Sequence, residues 1–396
     1  MTTPLAPAQP VEVDAAIVGG GIAGIWLLNL LQAKGYRAVL FEGRTLGGSQ
    51  TLASQGMIHG GLKYALGGKL TGASEAIGRM PAQWRECLAG TGSVNLAGLQ
   101  PLSEDYFMFA ADSTLGRLTG FFASKTLRGR IEKVDRADYP AALKPLDGVV
   151  YRLNDFVLDT TALLGRLLAP VKHLTYQHEV KPEHLRPDGS GWGIVTPAGM
   201  VRARRLILCA GTGSGPLLGA LDTEPPRLQT RPLHQVLVRH RALQPLYAHC
   251  LTGIRRPEPR LTITSHREPH GDAWLWYLGG SLATEGVSLG ENALIDHARA
   301  ELRTCVPWLD WSKATFDTLR IDRAEPYQTQ GTRPDEAFAW SSGASIVCWP
   351  TKLSLAPDLG ERVLSLLDPP AAPALPPTEL HLPAARLGQP PWCPSG

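Results

Sequence analysis

Residues 11–42 constrain the fold more than any other stretch of the chain. Val11 to Val18 is short, apolar and β-branched at several positions, as a buried strand is. Gly19-Gly20-Gly21-Ile22-Ala23-Gly24 follows. Apolar residues at helical spacing (Ile25, Leu27, Leu28, Leu31) then run up to Gly35, a natural residue just past a helix end. A second strand, Ala38 to Phe41, stops at Glu42. The order is strand, G-x-G-x-x-G, helix, strand, acid, and each part has a mechanical reason. Gly19 permits the tight turn, Gly21 lets the backbone approach a pyrophosphate, and Gly24 lets the helix pack closely on the strand. Free N–H groups at the helix start face the phosphate charge. Glu42, eighteen residues after Gly24, is spaced to accept from ribose hydroxyls. An acid there disfavours a 2′-phosphate, with Arg44 as a nearby countercharge. The unit reads as dinucleotide-binding and does not by itself separate FAD from NAD.

A chain of 396 residues suits two or three domains, and 43% hydrophobic residues supply a large core, which excludes disorder as the main state. The 42 glycines and 33 prolines exceed the usual share and predict many tight turns and a proline-rich segment. A net charge of +3 points neither to nucleic acid nor to an anionic membrane surface. The cysteines (Cys87, Cys209, Cys250, Cys305, Cys348, Cys393) form no C-x-x-C pair, so neither a metal site nor a disulfide framework is expected. Residues 1–10 lack a basic region followed by an apolar one, and the most apolar early run, Ala16 to Leu31, is short for a bilayer. The expectation is a cytoplasmic protein without a transmembrane segment, peripheral membrane association being left open.

Beyond Glu42 the chain reads Gly47-Gly48-Ser49-Gln50-Thr51, then Ser54-Gln55-Gly56-Met57-Ile58-His59-Gly60-Gly61-Leu62-Lys63-Tyr64. Together with the dinucleotide unit, this stretch resembles the FAD-dependent oxidoreductase family of D-amino-acid oxidase, sarcosine and glycine oxidases and glycerol-3-phosphate dehydrogenase. The segment Ile58 to Tyr64 is most similar to glycerol-3-phosphate dehydrogenase, which has Arg in place of Lys63. The resemblance implies FAD as cofactor and an α/β fold: a Rossmann-like FAD-binding domain of the glutathione-reductase type, interleaved with an α+β substrate domain built on an antiparallel sheet. It implies FAD contacts at Gly19, Gly21, Gly24, Glu42, Gly48, Ser49, Ser54, Gln55, Gly56, Val180, Ala210, Gly211, Lys352 and Leu353. Isoalloxazine is flat and wide, so backbone beside it must lack bulk.

The expected FAD-binding domain comprises 11–75, 149–225 and 319–367, the substrate domain 76–148 and 226–318. The proline-rich tail 368–396 is expected to be extended, either packed along the surface or mobile. Gly72 to Leu88 has a helical pattern that Met80-Pro81 should break or restart. Asp159 caps a helix reaching Leu168, and Leu174 to Val180 reads as a strand. Trp192–Val195 and Met200–Val201 read as a hairpin, and Arg205–Cys209 as a separate buried strand ending in the glycine turn Ala210–Gly215. Further strands are expected at Val236–Val238, Leu261–Thr264, Trp274–Leu278 and Ala344–Trp349, with helices at Asn292–Leu302 and Pro357–Leu367.

His59 is the candidate general base, since imidazole takes a proton near neutral pH. Its alternatives are a hydrogen bond to flavin or backbone, or covalent attachment to FAD. Arg333 offers a guanidinium fork for carboxylate or phosphate; its alternative is an ion pair with Glu325 or Asp335. Lys352, within Pro350-Thr351-Lys352-Leu353-Ser354, lines up with the lysine of a similar Gly-Gly-Lys-Leu-Thr stretch in glycerol-3-phosphate dehydrogenase. The resemblance implies that it faces substrate, although Pro350 and Thr351 replace the two glycines. It binds the anion, supports negative charge at flavin N1/O2, or is solvated. Lys63 and Tyr64 are second-line candidates. The cluster Arg255, Arg256, Arg260, His266, Arg267 and His270 invites a nucleic-acid reading, for which a basic surface hairpin is the commoner explanation. The expected activity is dehydrogenation of a CH–OH bond in a small anionic substrate (a polyol phosphate such as glycerol 3-phosphate, or a 2-hydroxy acid) by hydride transfer to flavin N5. Oxygen or quinone is the expected electron acceptor. The alternatives are CH–NH oxidation of the glycine, sarcosine or D-amino-acid type, demodification of an aminomethyl nucleobase, a non-catalytic flavin-binding subunit, and NAD binding.

Overall fold

The computed structural model describes residues 10–61, 72–110, 131–221, 223–251, 259–268, 273–329, 334, 336–371 and 380–393. Its first half runs β1 (Val11–Val18), α1 (Ile22–Ala33), β2 (Ala38–Glu42), β3 (Met57–Ile58), α2 (Gly72–Leu88), β4 (Tyr106–Phe109), β5 (Ile131–Lys133), β6 (Val150–Leu153), β7 (Phe156–Val157), α3 (Thr160–Leu168), β8 (Thr175–Gln177), β9 (Leu185–Asp188), β10 (Gly191–Thr196), β11 (Gly199–Leu208) and α4 (Ser214–Leu218). The second half runs β12 (Leu228–Arg239), β13 (Ala248–Cys250), β14 (Leu261–Arg267), β15 (Trp274–Gly279), α5 (Ser281–Glu285), α6 (Glu291–Cys305), β16 (Thr315–Pro326), β17 (Phe338–Ser342), β18 (Ser345–Trp349) and α7 (Ala356–Ser365).

In the first sheet, β1 pairs in parallel with both β2 and β11, which makes it a central strand, and it is buried from Val13 to Val18. The order is β17-β18-β11-β1-β2-β8, with β9 and β10 added beside β11. Helix α1 buries residues on every side, from Ile22 to Leu31, because it lies between the sheet and helices α3 and α7. Asp159 caps α3 by accepting from the Ala162 N–H at 2.8 Å. The expected hairpin arm and the separate buried strand after it are one strand, β11. Antiparallel β10 covers Gly199 to Ala203, and parallel β18 covers Leu206 to Leu208. Strand β8 stops at Gln177 rather than Val180 because its partner β2 ends at Glu42.

The second sheet has the order β16-β12-β15-β14-β13-β4-β6-β5 and is antiparallel except for the β13–β4 pair. Helix α6 lays Leu294, Ala298 and Leu302 on its hydrophobic core. Two expected domain boundaries shift. Strand β16 pairs with β12 along its whole length, out to Leu228 opposite Pro326, and β6 pairs with β4 and β5. Residues 150–153 and 319–326 therefore belong to the second sheet; each strand continues until its partner ends. Helix α2 runs through Pro81 without a break. The lost N–H and ring clash weaken a helix by about 3 kcal/mol. Burial of Ile77, Met80 and Trp84, with Trp84 Nε1 donating to Ser354 O at 2.9 Å, offsets that.

Of the two states expected for the tail, residues 380–393 adopt the packed one. Gln177 N donates to Pro383 O at 2.7 Å, and Trp392 is buried against His266, with ring centroids 4.1 Å apart. Burial lowers the His266 pKa from its ordinary 6.5 to about 4. The unfolded chain therefore binds a proton first as pH falls. The neutral imidazole contributes its full share of stability above about pH 6.5, and loses it between there and about pH 4. The shift corresponds to about 3 kcal/mol. Denaturant titrations across this window should show that loss, and His266→Asn should flatten it.

Candidate active site

A cavity of about 810 Å³ lies between the two sheets, and the glycine turn forms one end of it. Gly19 has a left-handed φ of 112°, and a Cβ at Gly24 would sit 1.9 Å from the Gly19 carbonyl oxygen. Only glycine at both places lets α1 start against β1. Gly24 lies beneath the turn, whereas Gly21 lines the cavity, and a Cβ there would meet only Thr51 Oγ1, at 3.3 Å. Helix α1 has no side-chain cap and no acid in its first turn. Its Ile22 N–H donates to Thr51 Oγ1 at 3.0 Å. The positive helix end thus borders the cavity, as an anion site requires.

Glu42 accepts from Gly20 N through Oε2 and from Arg44 N through Oε1, both at 2.7 Å. Each oxygen has a second lone pair for a ligand hydroxyl. Gly48, Ser49, Ser54, Gln55, Gly56, Val180, Ala210, Gly211, Lys352, Leu353 and His59 line the same cavity. Gln55 also works as a fastener: its Nε2 donates to Tyr277 O at 2.8 Å and Thr262 O at 3.1 Å, tying the lining segment to the second sheet.

His59 is 6% exposed and directly follows β3; the next amide, Gly60 N, donates to Asp155 Oδ1 at 2.8 Å. Strand β3 packs against Leu353–Leu355, so His59 and Lys352 share one wall. Lys352 is also 6% exposed, and its Nζ donates to Pro334 O at 3.1 Å, which removes the solvated alternative. Thr351 takes the left-handed route expected of a glycine, at φ 61°, and its hydroxyl donates to Glu336 O at 2.8 Å. A β-branched residue held there stores about 1–3 kcal/mol of strain.

Lys63, Tyr64 and Arg333 lie outside the described residues, as do Asp335, Arg255, Arg256 and His270. Glu325, the alternative partner considered for Arg333, is 1% exposed and takes a two-point ion pair from Arg231 at 2.7 and 2.9 Å. In the rest of the basic cluster, Arg260 donates to Glu301 at 2.9 Å, Arg267 stacks 3.9 Å over Trp274, and His266 is buried. These described members do not form an open basic face.

Sequence reasoning missed the second sheet's contribution. Arg231, Leu233 and Gln235 alternate along β12, Ile321 and Arg323 along β16, and all line the cavity. Arg231 stands opposite Arg323 in the ladder. The signal available was this period of two, but it cannot say which face meets the cavity. Five buried polar atoms of lining residues (Ser54 Oγ, His178 Nε2, Ser281 Oγ, Ser354 Oγ and Trp349 Nε1) have no hydrogen-bond partner among the described residues. Leaving such a group unmatched costs about 1–3 kcal/mol. The helix N-terminus beside a glycine with room around it suits a diphosphate, and the free lone pairs of Glu42 suit ribose hydroxyls, so the residues present fit FAD.

Fold and cavity together define a flavin-dinucleotide oxidoreductase. The chain belongs to the DAO family, FAD dependent oxidoreductase, whose model matches residues 14–343. It is 45% identical over 392 residues to the probable FAD-dependent oxidoreductase PA4991 of Pseudomonas aeruginosa, covering 97% of this chain and 98% of that protein. The crystal structure of that oxidoreductase superposes with a TM-score of 0.81 and 39% identity, at 97% and 98% coverage. Glycine oxidase from Geobacillus kaustophilus (TM-score 0.64, 18% identity, 93% and 98% coverage) has a similar fold. So does L-alpha-glycerophosphate oxidase from Mycoplasma pneumoniae (0.63, 13%, 96% and 99%). The protein is an enzyme and FAD is its cofactor. No described helix is long and apolar enough to cross a membrane.

The glycine turn separates fold from cofactor binding. Gly21→Val should abolish FAD retention, read from the flavin absorbance of the purified protein, while leaving the apoprotein melting temperature within a few degrees of wild type. Gly24→Val should lower that temperature sharply, because its side chain meets backbone.

Proposed function

We propose that this enzyme dehydrogenates a CH–OH bond in a small anionic substrate, a polyol phosphate or a 2-hydroxy acid, and passes the electrons to oxygen or a quinone. The observation that carries the reading is the charge of the lining. Arg231, Arg323 and Lys352 face the cavity with His59, whereas the lining carboxylates, Glu42 and Glu179, sit beside the end of β2. Arg231 is paired with Glu325, and Arg323 and Lys352 add further positive charge to the lining, which suits an anionic substrate. His59 takes the hydroxyl proton, and its burial keeps bulk water from competing for it. Bound FAD supplies the hydride acceptor, and the protein supplies position and charge.

Anaerobic bleaching of the flavin band tests this across a panel pairing each hydroxy acid or polyol phosphate with its amine counterpart. A hydroxy member should reduce the flavin. His59→Asn should then lower kcat/KM by about 10²–10⁴ at unchanged FAD content. Bleaching by an amine alone, with turnover surviving His59→Asn, assigns CH–NH chemistry instead. No bleaching by any member overturns the reading and puts the substrate outside these classes.

A further inference from the structure

We propose that the C-terminal strap, residues 380–393, is a cofactor clasp: it holds the cavity-lining segment 44–56 from both flanks while contributing no described residue to the lining. On the first flank the strap pairs with Leu46 in both directions. Leu46 N donates to Arg386 O at 2.8 Å, and Gly388 N donates to Leu46 O at 2.9 Å. Gly388 lies directly behind the lining: a Cβ there would fall 2.9 Å from Thr45 Oγ1, 3.0 Å from Leu52 Cδ1 and 3.1 Å from Gly48 Cα. Upstream, Ala385 N donates to Thr175 O at 3.1 Å, which anchors the strap to the first sheet.

The second flank is reached through the other sheet. Trp392 covers His266, with centroids 4.1 Å apart, and Tyr277, at 5.5 Å. His266 Nε2 lies 3.4 Å from Thr264 Oγ1, which in turn lies 3.4 Å from Gln55 Nε2. The Tyr277 hydroxyl donates to Ala53 O at 2.8 Å. The rings under Trp392 are thus the ones that hold Ala53 and Gln55, at the far end of the segment that Leu46 begins. Because the strap is anchored on both sheets, its release loosens the segment at two points without removing any group that faces FAD. Proline at 383, 390 and 391 lowers the entropy lost on ordering the strap. Trp392 and Gly388 are positioning residues in this assignment.

The test uses full-length holoenzyme carrying Trp392→Ala, Trp392→Phe or Gly388→Ala, with FAD dissociation followed by the recovery of flavin fluorescence and melting temperatures taken with and without FAD. Trp392→Ala and Gly388→Ala should each raise the FAD dissociation constant about tenfold or more, and Trp392→Phe should stay within about threefold of wild type. Ligand binding adds stability in proportion to the logarithm of affinity, so the melting temperature should fall further in the FAD-loaded protein than in the apoprotein. Equal falls in the two forms with unchanged FAD affinity would overturn the proposal and leave the strap a purely structural element. If Trp392→Ala does not fold, Gly388→Ala decides alone: unchanged FAD affinity there overturns the proposal.

Discussion

Gly24 sits so close to the carbonyl of Gly19 that no side chain fits between them, and the rest of the cavity depends on that contact. It sets the start of α1 hard against the end of β1, so the amide end of the helix, with Ile22 N–H held by Thr51 Oγ1, borders the cavity. The parallel pairing of β1 with β2 and β11 then brings Glu42 and the turn Ala210–Gly211 to the same edge. Strand ends, helix dipole and carboxylate converge because a parallel sheet aligns its carboxyl ends on one side.

The second sheet completes the site through polar contacts. Gln55 reaches across to carbonyl groups of β14 and β15, and Tyr277 reaches back to Ala53. These bonds hold the lining segment between two walls of different character. The first wall is backbone and small residues, fit for a phosphate and a flat ring. The second carries Arg231 and Arg323 side by side in the ladder, a placement that like charges disfavour unless an anion or a carboxylate shares the site. Glu325 does this for Arg231.

Strain is concentrated at the same place. Thr351 occupies a backbone region that glycine enters freely, directly before the buried Lys352. The bond from its hydroxyl to Glu336 O and the packing of Leu355 and Ala356 in the core hold it there. The sequence showed that two glycines of the related pattern were missing. The backbone takes a left-handed route nonetheless, with a threonine bearing the strain.

The nucleotide unit was legible because every part of it is local: strand, turn, helix and acid lie within 32 consecutive residues, and each choice of residue has a short-range steric or electrostatic cause. Much of the stretch 47–59 was legible as cavity lining for a related reason, since its run of small residues leaves backbone open to a ligand. The unity of β11, the membership of β6 and β16 in the second sheet and the passage of α2 through Pro81 were not, because each depends on a partner far away in the chain. The same holds for Arg231, Arg323 and the tail. An alternating strand pattern does not name its neighbour, and a proline-rich segment does not name the groove it fills. The sequence by itself determined the dinucleotide grip and the flavoprotein family. Only the tertiary structure decided which cations face the cavity and what fastens its lining, because those depend on long-range pairing between sheets.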